Sequence, residues 1–379
     1  MLLKYHWRSL LVRRSRFLMT AVGIGLAVFV AMVMGGLALG IVSGFKATGN
    51  PLNVLVTSRG AETIEFSALD RSTYEALRHS PELAGDNSGS LASPEVLFAA
   101  THEQEGKVSQ ALVRGILPVA FAVHDQVRVA EGRPPLATNE VAIGPLVGVK
   151  LGLPEESLKV GQELVLDGKP WKIVGRLEAP GTAFEAEIWA PLDAMMSAYR
   201  RDELNSVVLR ARDQAALEEL FFDLETRRDV IVAARRETDY YAAHAEAFRP
   251  ITAAICILAG ILVLGGALLG MNTLFASVTA RTRELGMLRT LGFRRWQLAC
   301  GFAIEGLAPA LAGSLIAIGA AMSIQGFALK LPMGAFRLHM GPEMAAAGLF
   351  LGVLIGLLGS TAAIARTLRL STIQAIRHL

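Results

Sequence analysis

The longest uncharged stretch of this chain constrains its fold more than any other feature. No Asp, Glu, Lys or Arg occurs between Arg16 and Lys46. A helix needs about 20 apolar residues to cross about 30 Å of hydrocarbon, so this stretch can span a membrane. The alternative, a cleaved signal peptide, has an apolar region of about 7 to 15 residues, roughly half of what is present here. The sequence therefore predicts a membrane anchor.

Three further apolar stretches extend this prediction to the whole chain. They cover residues 251–280, 296–329 and 344–365, and Glu305 is their only charged residue. The chain is 52% hydrophobic and 19% charged, which is too apolar for an ordinary soluble protein of 379 residues. We predict an α-helical membrane protein with four transmembrane helices, at residues 17–45, 250–280, 296–329 and 344–365.

The positions of Lys and Arg predict the orientation of these spans. Five such residues precede the first span, five lie within 281–295, and three follow the fourth span. Because Lys and Arg near spans are retained in the cytoplasm, the segments 1–16, 281–295 and 366–379 should all lie there. Segment 46–249 and the loop 330–343 then lie on the outer side.

The outer segment 46–249 has the composition of a translocated domain. It contains 22 Lys and Arg against 31 Asp and Glu, a net charge of −9, and is long enough for a core of its own. Strand-like runs begin at 53–58, and helical patterns cover 214–226 and 238–248. Ser72 and Glu75 have the spacing of a capping box, and Gly161, Gly168 and Gly175 are expected at tight connections. We predict a large α+β domain inserted between the first two spans.

Catalytic and metal-binding patterns are missing from the sequence. The pair Gly168-Lys169 precedes Pro170 and lacks the upstream glycine of a phosphate-binding loop. The histidines have no ligand spacing, and we assign His102 to a solvated loop. Cys256 and Cys300 lie in apolar segments and are expected to pack as small apolar residues. We predict no catalytic residue, no bound metal and no nucleic-acid partner.

Residues 281–292 carry the strongest functional pattern. Leu285, Leu288 and Leu291 recur every three residues among charged side chains, which predicts a short amphipathic helix. Such a helix can occupy a groove of a partner protein, with arginines contacting acidic residues there. A helix that lies on the membrane surface has the same pattern, so the spacing alone leaves both interpretations open.

At these residues the sequence resembles the MacB/FtsX-type ABC transporter permease family. The stretch Arg281-Thr282-Arg283-Glu284-Leu285-Gly286 is similar to the family's R-T-R-E-I-G, and Phe302-Ala303-Ile304-Glu305-Gly306 is similar to its F-L-I-E-A. The tail from Ala365 to Arg377 resembles the family's ending, except that Ser371-Thr372 replaces Asp-Pro. Residues 139–144 and 160–175 resemble its two-lobed periplasmic domain. The resemblance extends over nearly the whole chain.

This resemblance implies a location, partners and a site. The chain would be a multi-pass protein of the bacterial inner membrane, with its termini in the cytoplasm and segment 46–249 in the periplasm. It would bind a separate ABC ATPase that holds ATP and Mg²⁺, a second permease copy, membrane lipids, and a periplasmic adaptor with an outer-membrane channel. The residues expected to couple to the ATPase are Arg281, Arg283, Glu284, Leu285, Gly286, Leu288, Arg289, Leu291 and Gly292.

Two further sets of residues are candidates within the spans. A charge in hydrocarbon costs about 2.5 to 3.5 kcal/mol on insertion scales, so Glu305 should face protein, headgroups or water. It either contacts nearby arginines as a structural or coupling residue or acts directly in the transport cycle. Glycines at four-residue spacing permit close packing, within one subunit or between two. They are Gly36, Gly40 and Gly44 in the first span and Gly348, Gly352 and Gly356 in the fourth.

Three functions fit this architecture. The first is a subunit of an ATP-driven exporter of a lipophilic or lipid-linked substrate. The second is an FtsX-like mechanical regulator of an envelope enzyme that moves no solute. The third, a sensory receptor, is disfavoured because the chain has no long cytoplasmic signalling segment. The length of the outer segment favours export, since FtsX-like regulators usually have a smaller insert.

Overall fold

The computed structural model of the chain describes residues 14–86, 89–104, 106–227, 229–331 and 334–369. The α-helices within them are, in chain order, α1 (Arg14–Thr48), α2 (Arg71–Leu77), α3 (Ala120–Val123), α4 (Val147–Leu151), α5 (Leu192–Ala198), α6 (Gln214–Thr226), α7 (Glu237–Ala247), α8 (Arg249–Ala280), α9 (Thr282–Thr290), α10 (Arg295–Ser323) and α11 (Pro342–Arg369).

The strands of the described residues follow the same order. They are β1 (Asn53–Ser58), β2 (Gly85–Asp86), β3 (Gly89–Ser90), β4 (Ala92–Gln104), β5 (Lys107–Ile116), β6 (Arg128–Gly132), β7 (Glu140–Ile143), β8 (Glu163–Leu166), β9 (Lys169–Glu178), β10 (Glu187–Pro191), β11 (Ser206–Arg210), β12 (Val232–Arg236), β13 (Ala328–Leu331) and β14 (Gly334–Arg337). Short 3-10 turns lie at Ile64–Phe66, Glu155–Leu158 and Ala183–Ala186.

The chain divides into two compact units. The helical unit contains the described residues up to Leu39, those of Pro250–Phe327 and those from Leu338 onward. The second unit, called here the inserted domain, contains Gly40–Arg249 and the hairpin Ala328–Arg337. Within the described residues, α1, α8, α10 and α11 are long and apolar enough to span a membrane. The predicted architecture of four spans with an inserted α+β domain is confirmed.

The third spanning helix, α10, is shorter than the apolar stretch from which it was predicted. We predicted a span over 296–329, but α10 ends at Ser323 and Gly326 adopts a φ of +78°. The apolar residues that follow belong to β13, which pairs with β14 inside the predicted outer loop 330–343. Hydropathy does not distinguish an apolar strand from the end of a helix, which is why the prediction was too long. Lys4, Arg8, Arg13 and the tail after Arg369 lie outside the described residues.

The sheet of the inserted domain has two lobes that share strand β4. One lobe is antiparallel in the order β12-β1-β11-β4, and the other continues as β4-β5-β10-β7-β9-β6. In the second lobe β5 and β10 are parallel, as are β7 and β9, and β8 pairs only with β9. The 13 residues of β4 are long enough to pair with β11 at one end and β5 along most of their length. One strand therefore connects the two lobes.

Local sequence signals explain several elements and fail at others. The predicted strand at 53–58 and helix at 214–226 are confirmed, and the Asp213 side chain caps α6 by accepting a hydrogen bond from the backbone of Ala216. The predicted capping box at Ser72 is wrong, because the N-cap of α2 is Asp70, two residues earlier. His102 was also assigned wrongly, since it lies in β4.

Of the three glycines expected at tight connections, two lie in them. Gly161 and Gly168 adopt positive φ values, +96° and +74°, in turns. Gly175 instead lies inside β9, where a Cβ would collide with the carbonyl oxygen of Arg133. The third glycine is therefore required by a close approach of backbone rather than by a turn.

Candidate coupling site

The short helix α9 has a defined end at each terminus. Glu284 lies in its first turn and Arg289 in its last, which places each charge favourably in the helix dipole. At the C-terminus Gly292, with a φ of +94°, donates to the carbonyl of Arg289, and Phe293 donates to the carbonyl of Leu288. These two hydrogen bonds form a Schellman motif. In this motif the residue after the helix has a positive φ, which glycine adopts readily. Gly292 therefore ends the helix.

One face of α9 packs into the helical unit itself. Leu285 is 2% exposed and belongs to a cluster with Val278 of α8 and Phe302 of α10. Leu288 and Phe293 pack against the same cluster, which adds the hydrophobic contact that accompanies a Schellman motif. We expected this leucine stripe to enter a partner's groove. Leu285 is instead buried in the chain's own core and fixes α9 to the neighbouring helices.

The opposite face of α9 is exposed. It presents Arg283, Met287, Thr290 and Leu291, whose spacing places them on one side of the helix. Met287 is 53% exposed and Leu291 is 76% exposed. Of the three leucines expected to face a partner, only Leu291 lies on this surface, and Met287 was missed. The spacing of the apolar residues does not show which of them pack against the protein's own helices.

Glu305 forms a buried ion pair with Arg281, the residue that precedes α9. Arg281 Nη1 lies 3.1 Å from Glu305 Oε1, and the two side chains are 7% and 5% exposed. Glu284, which is half exposed, lies 3.9 Å from Arg281 Nε. The structure thus places Glu305 against one of the arginines in the 281–295 segment. The pair connects the start of α9 to the interior of α10.

Glycines allow the long helices of this unit to pack closely. A Cβ at Gly352 would collide with Ser314 Oγ, and one at Gly356 would lie 2.9 Å from the Cβ of Ala310. Both contacts join α11 to α10, and Gly348 packs against Met32 and Ile318 in the same way. A Cβ at Gly36 would lie 2.9 Å from the carbonyl oxygen of His339. These glycines serve packing within one subunit, and their role in dimerisation stays a prediction.

The inserted domain contains a buried charged network that the sequence did not reveal. Arg114 of β5 donates to Glu95 of β4 at 2.6 Å and to Glu187 of β10 at 2.7 Å. His124 lies 2.7 Å from Glu95 and 3.3 Å from Glu237 of α7. All five side chains are almost fully buried. Because they come from separate parts of the chain, no local motif signals them.

The charges of this network hold one another in the ionised form. Burial raises the pKa of Glu95, but the charges of His124 and Arg114 outweigh burial and lower it to about 2. Burial lowers the pKa of His124, but Glu95 and Glu237 outweigh it and raise the pKa to about 10. His124 is therefore a cation at neutral pH, and it connects α7 to the sheet.

The arrangement does not indicate a metal centre. Within the described ranges, no group of three or more His, Cys, Asp or Glu side chains is placed to hold a metal ion. Cys256 and Cys300 lie on the surfaces of the candidate spans α8 and α10, and their role as small apolar packing residues stays a prediction. The exposed face of α9 and the Arg281–Glu305 pair together form the candidate coupling site.

Four candidate spans, an inserted α+β domain and a short helix between the second and third spans define the architecture of a polytopic membrane protein. Two family models match this chain. One is the MacB-like periplasmic core domain, over residues 17–227, and the other is the FtsX-like permease C-terminal domain, over residues 256–372. The chain belongs to the MacB/FtsX-type ABC transporter permease family.

Two relatives match most of the chain at low identity. The uncharacterized ABC transporter permease YknZ of Bacillus subtilis is 24% identical, over 98% of this chain and 97% of its own length. The macrolide export ATP-binding/permease protein MacB 2 of Aeromonas hydrophila is 24% identical over 87% of this chain, which spans only 53% of that protein. The crystal structure of the periplasmic region of MacB from Actinobacillus actinomycetemcomitans aligns with a TM-score of 0.38 at 13% identity, over 52% of this chain and 94% of that one.

Proposed function

We propose that this chain is the membrane subunit of an ABC transporter and couples ATP hydrolysis by a separate ATPase to movement of the inserted domain. The termini and α9 face the cytoplasm of a bacterium, and the inserted domain lies in the periplasm. ATP and Mg²⁺ bind the ATPase subunit and not this chain. The names of the relatives support this division, since MacB 2 is a combined ATP-binding/permease protein and YknZ, of similar length to this chain, is a permease.

The exposed face of α9 is the observation that carries the proposal. Its side chains Arg283, Met287 and Leu291 combine one positive charge with two large apolar groups, which suits a shallow groove lined by acidic residues. The buried face anchors the same helix through Leu285, and the pair with Glu305 anchors its start. A push on the exposed face therefore moves α8 and α10 rather than bending a flexible loop.

We propose further that the transported substrate is lipophilic or lipid-linked and leaves from the outer side. In this scheme two permease copies pair, and a periplasmic adaptor and an outer-membrane channel continue the route. The alternative is an FtsX-like regulator that transmits the same movement to an envelope enzyme. Copurification distinguishes the two, because an adaptor supports export and a hydrolase supports regulation.

Disulfide or thiol-specific cross-linking tests the coupling site directly. In a chain whose two native cysteines are replaced by alanine, Met287→Cys should cross-link to a co-expressed ABC ATPase in membranes. Met19→Cys is the negative control, because Met19 lies on the surface of the first candidate span and should give no cross-link. Equal cross-linking at both positions, or none at Met287 while the ATPase copurifies, would contradict the assignment.

A further inference from the structure

A small cavity lies inside the helical unit, where residues of all four candidate spans meet. It encloses about 50 Å³ and is lined by residues of α1, α8, α10 and α11. Small-molecule sites commonly occupy about 300 to 1,000 Å³, so this cavity is too small for a substrate. A water molecule takes about 30 Å³ in the liquid, and the cavity has room for about two of them. Its volume therefore suits water.

Two buried hydroxyl groups belong to the wall of this cavity. Thr20 of α1 is 6% exposed and Ser277 of α8 is 5% exposed, and both residues line the cavity. Within the part of the chain that the structure describes, neither hydroxyl has a hydrogen-bond partner. A hydroxyl inside a helix can donate to the carbonyl four residues earlier, as Thr273 does to Leu269 at 2.8 Å, but Ser277 makes no such bond. Because a buried hydroxyl without a partner is costly, these two groups require a hydrogen-bonding occupant.

Further polar groups of the wall can bind the same occupant. Glu305 lines the cavity, and its Oε1 lies 3.1 Å from Arg281. A carboxylate has about four acceptor positions, so the ion pair with Arg281 does not use all of them. Thr273 also lines the cavity, and its hydroxyl oxygen can accept a hydrogen bond while it donates to Leu269. A buried water typically makes about three hydrogen bonds, and this wall provides enough groups for them.

The apolar part of the wall does not exclude water. Ile24, Leu274 and Ile355 line the cavity too. Cavities lined only by such side chains stay dry, whereas cavities with several polar groups hold water. Arg16, which is exposed on α1, belongs to the same lining and provides a polar route by which water can enter.

We propose that this cavity holds water molecules that hydrogen-bond to Thr20 and Ser277 beside Glu305. The inference goes beyond the proposed function, because it applies whether or not an ATPase binds α9. Water at this place lowers the cost of burying the Arg281–Glu305 pair between apolar helices, since the pair is then partly hydrated.

X-ray radiolysis of the full chain in nanodiscs tests the proposal. The method converts bound water into hydroxyl radicals, which oxidise the side chains next to them. Leu274 and Leu268 are a matched pair on α8. Leu274 is 7% exposed and lines the cavity, whereas Leu268 is 63% exposed on the surface of the span. Leu274 should be oxidised severalfold faster than Leu268. Equal oxidation, which is the result expected of a dry cavity or of one that holds a lipid chain, would overturn the proposal.

A variant that fills the cavity tests whether the oxidation comes from its interior. A Cβ at Gly270 would lie 3.6 Å from the Cα of Gly359 and 3.9 Å from Cδ1 of Ile24, which are ordinary contacts with the same wall. Gly270→Ala should about halve the oxidation of Leu274, because a methyl group takes the room of about one water molecule. Gly265→Ala is the matched control on α8, since a Cβ there has nothing within 4 Å. Equal effects of the two variants would contradict the proposal.

Removing the hydroxyls tests the hydrogen bonds themselves. The double variant Thr20→Val with Ser277→Ala should lower the oxidation of Leu274 severalfold, because the water then lacks two of its partners. Thr279→Val is the control, since the hydroxyl of Thr279 donates to the carbonyl of Phe275 at 2.7 Å and Thr279 does not line the cavity. Unchanged oxidation of Leu274 in the double variant would show that these hydroxyls bind no water, and the proposal would fail.

Discussion

Replacing Glu305 by glutamine removes a charge from the interior of the helical unit with almost no change in volume. In the original chain Glu305 lies 3.1 Å from Arg281, and both side chains are nearly inaccessible. After the substitution the arginine stays buried opposite a neutral amide. We expect the variant to insert into the membrane normally, because the substitution lowers the cost of burying residue 305.

The expected loss of stability follows from the burial of the pair. Breaking a buried ion pair by removing one partner costs about 3–5 kcal/mol. Glu284 lies 3.9 Å from the same arginine and retains part of the attraction, so the lower value, about 3 kcal/mol, applies here. Glu284→Gln is the matched control. The Glu284 side chain is 52% exposed, and loss of its charge should cost about 0–1 kcal/mol.

Hydrogen exchange of the α9 amides measures this effect where it occurs. A loss of about 3 kcal/mol in local stability would raise the exchange of residues 282–290 about 100-fold in Glu305→Gln. Glu284→Gln should change it far less, and adding Arg281→Gln to Glu305→Gln should recover part of the protection. ATPase stimulation should fall together with protection. Unchanged exchange and activity in Glu305→Gln would refute the coupling role of the pair.

Two further predictions concern pH and packing. Because the folded pKa of His124 is raised from 6.5 to about 10, its contribution to stability is complete below pH 6.5 and is lost as the pH rises through 10. Because the pKa of Glu95 is lowered from 4.5 to about 2, its contribution is complete above pH 4.5 and is lost as the pH falls through 2. Thermal unfolding of the inserted domain at different pH values, compared with His124→Gln, should show the alkaline loss only in the original chain. Gly352→Leu should lower the yield of folded protein on size-exclusion chromatography because it collides with Ser314, whereas Gly319→Leu, with nothing within 4 Å, should not.

The helical unit was largely predictable because hydrophobic length and charge position act locally along the chain. A run without charge from residue 17 to 45 leaves few alternatives to a spanning helix, and the structure forms α1 there. The direction of the leucines in α9 was not predictable. The same spacing of leucines is found in a helix that packs on its own protein and in one that packs on a partner. The contacts of Leu285 show that its side chain packs on the protein's own helices.

The α+β class of the inserted domain was predictable from the sequence, but the contacts in its interior were not. Strand β1 and helix α6 follow from local periodicity and capping. The network around Arg114 depends on β4, β5 and β10 lying side by side, and no pattern along the chain encodes that order. A cavity in this domain is lined by residues as distant as Phe45 and Phe336, so it exists only once the domain has folded.

Glu237 connects the beginning and the end of the main segment of the inserted domain. Its Oε2 accepts hydrogen bonds from the backbone of Asn50 at 2.8 Å and from Asn53 Nδ2 at 2.9 Å. Asn50 follows α1, and Glu237 begins α7, which directly precedes α8. One carboxylate thus ties the strand by which the chain enters the domain to the helix by which it leaves. A force on either connection therefore acts on the same carboxylate, so the domain should resist unfolding that starts from one end.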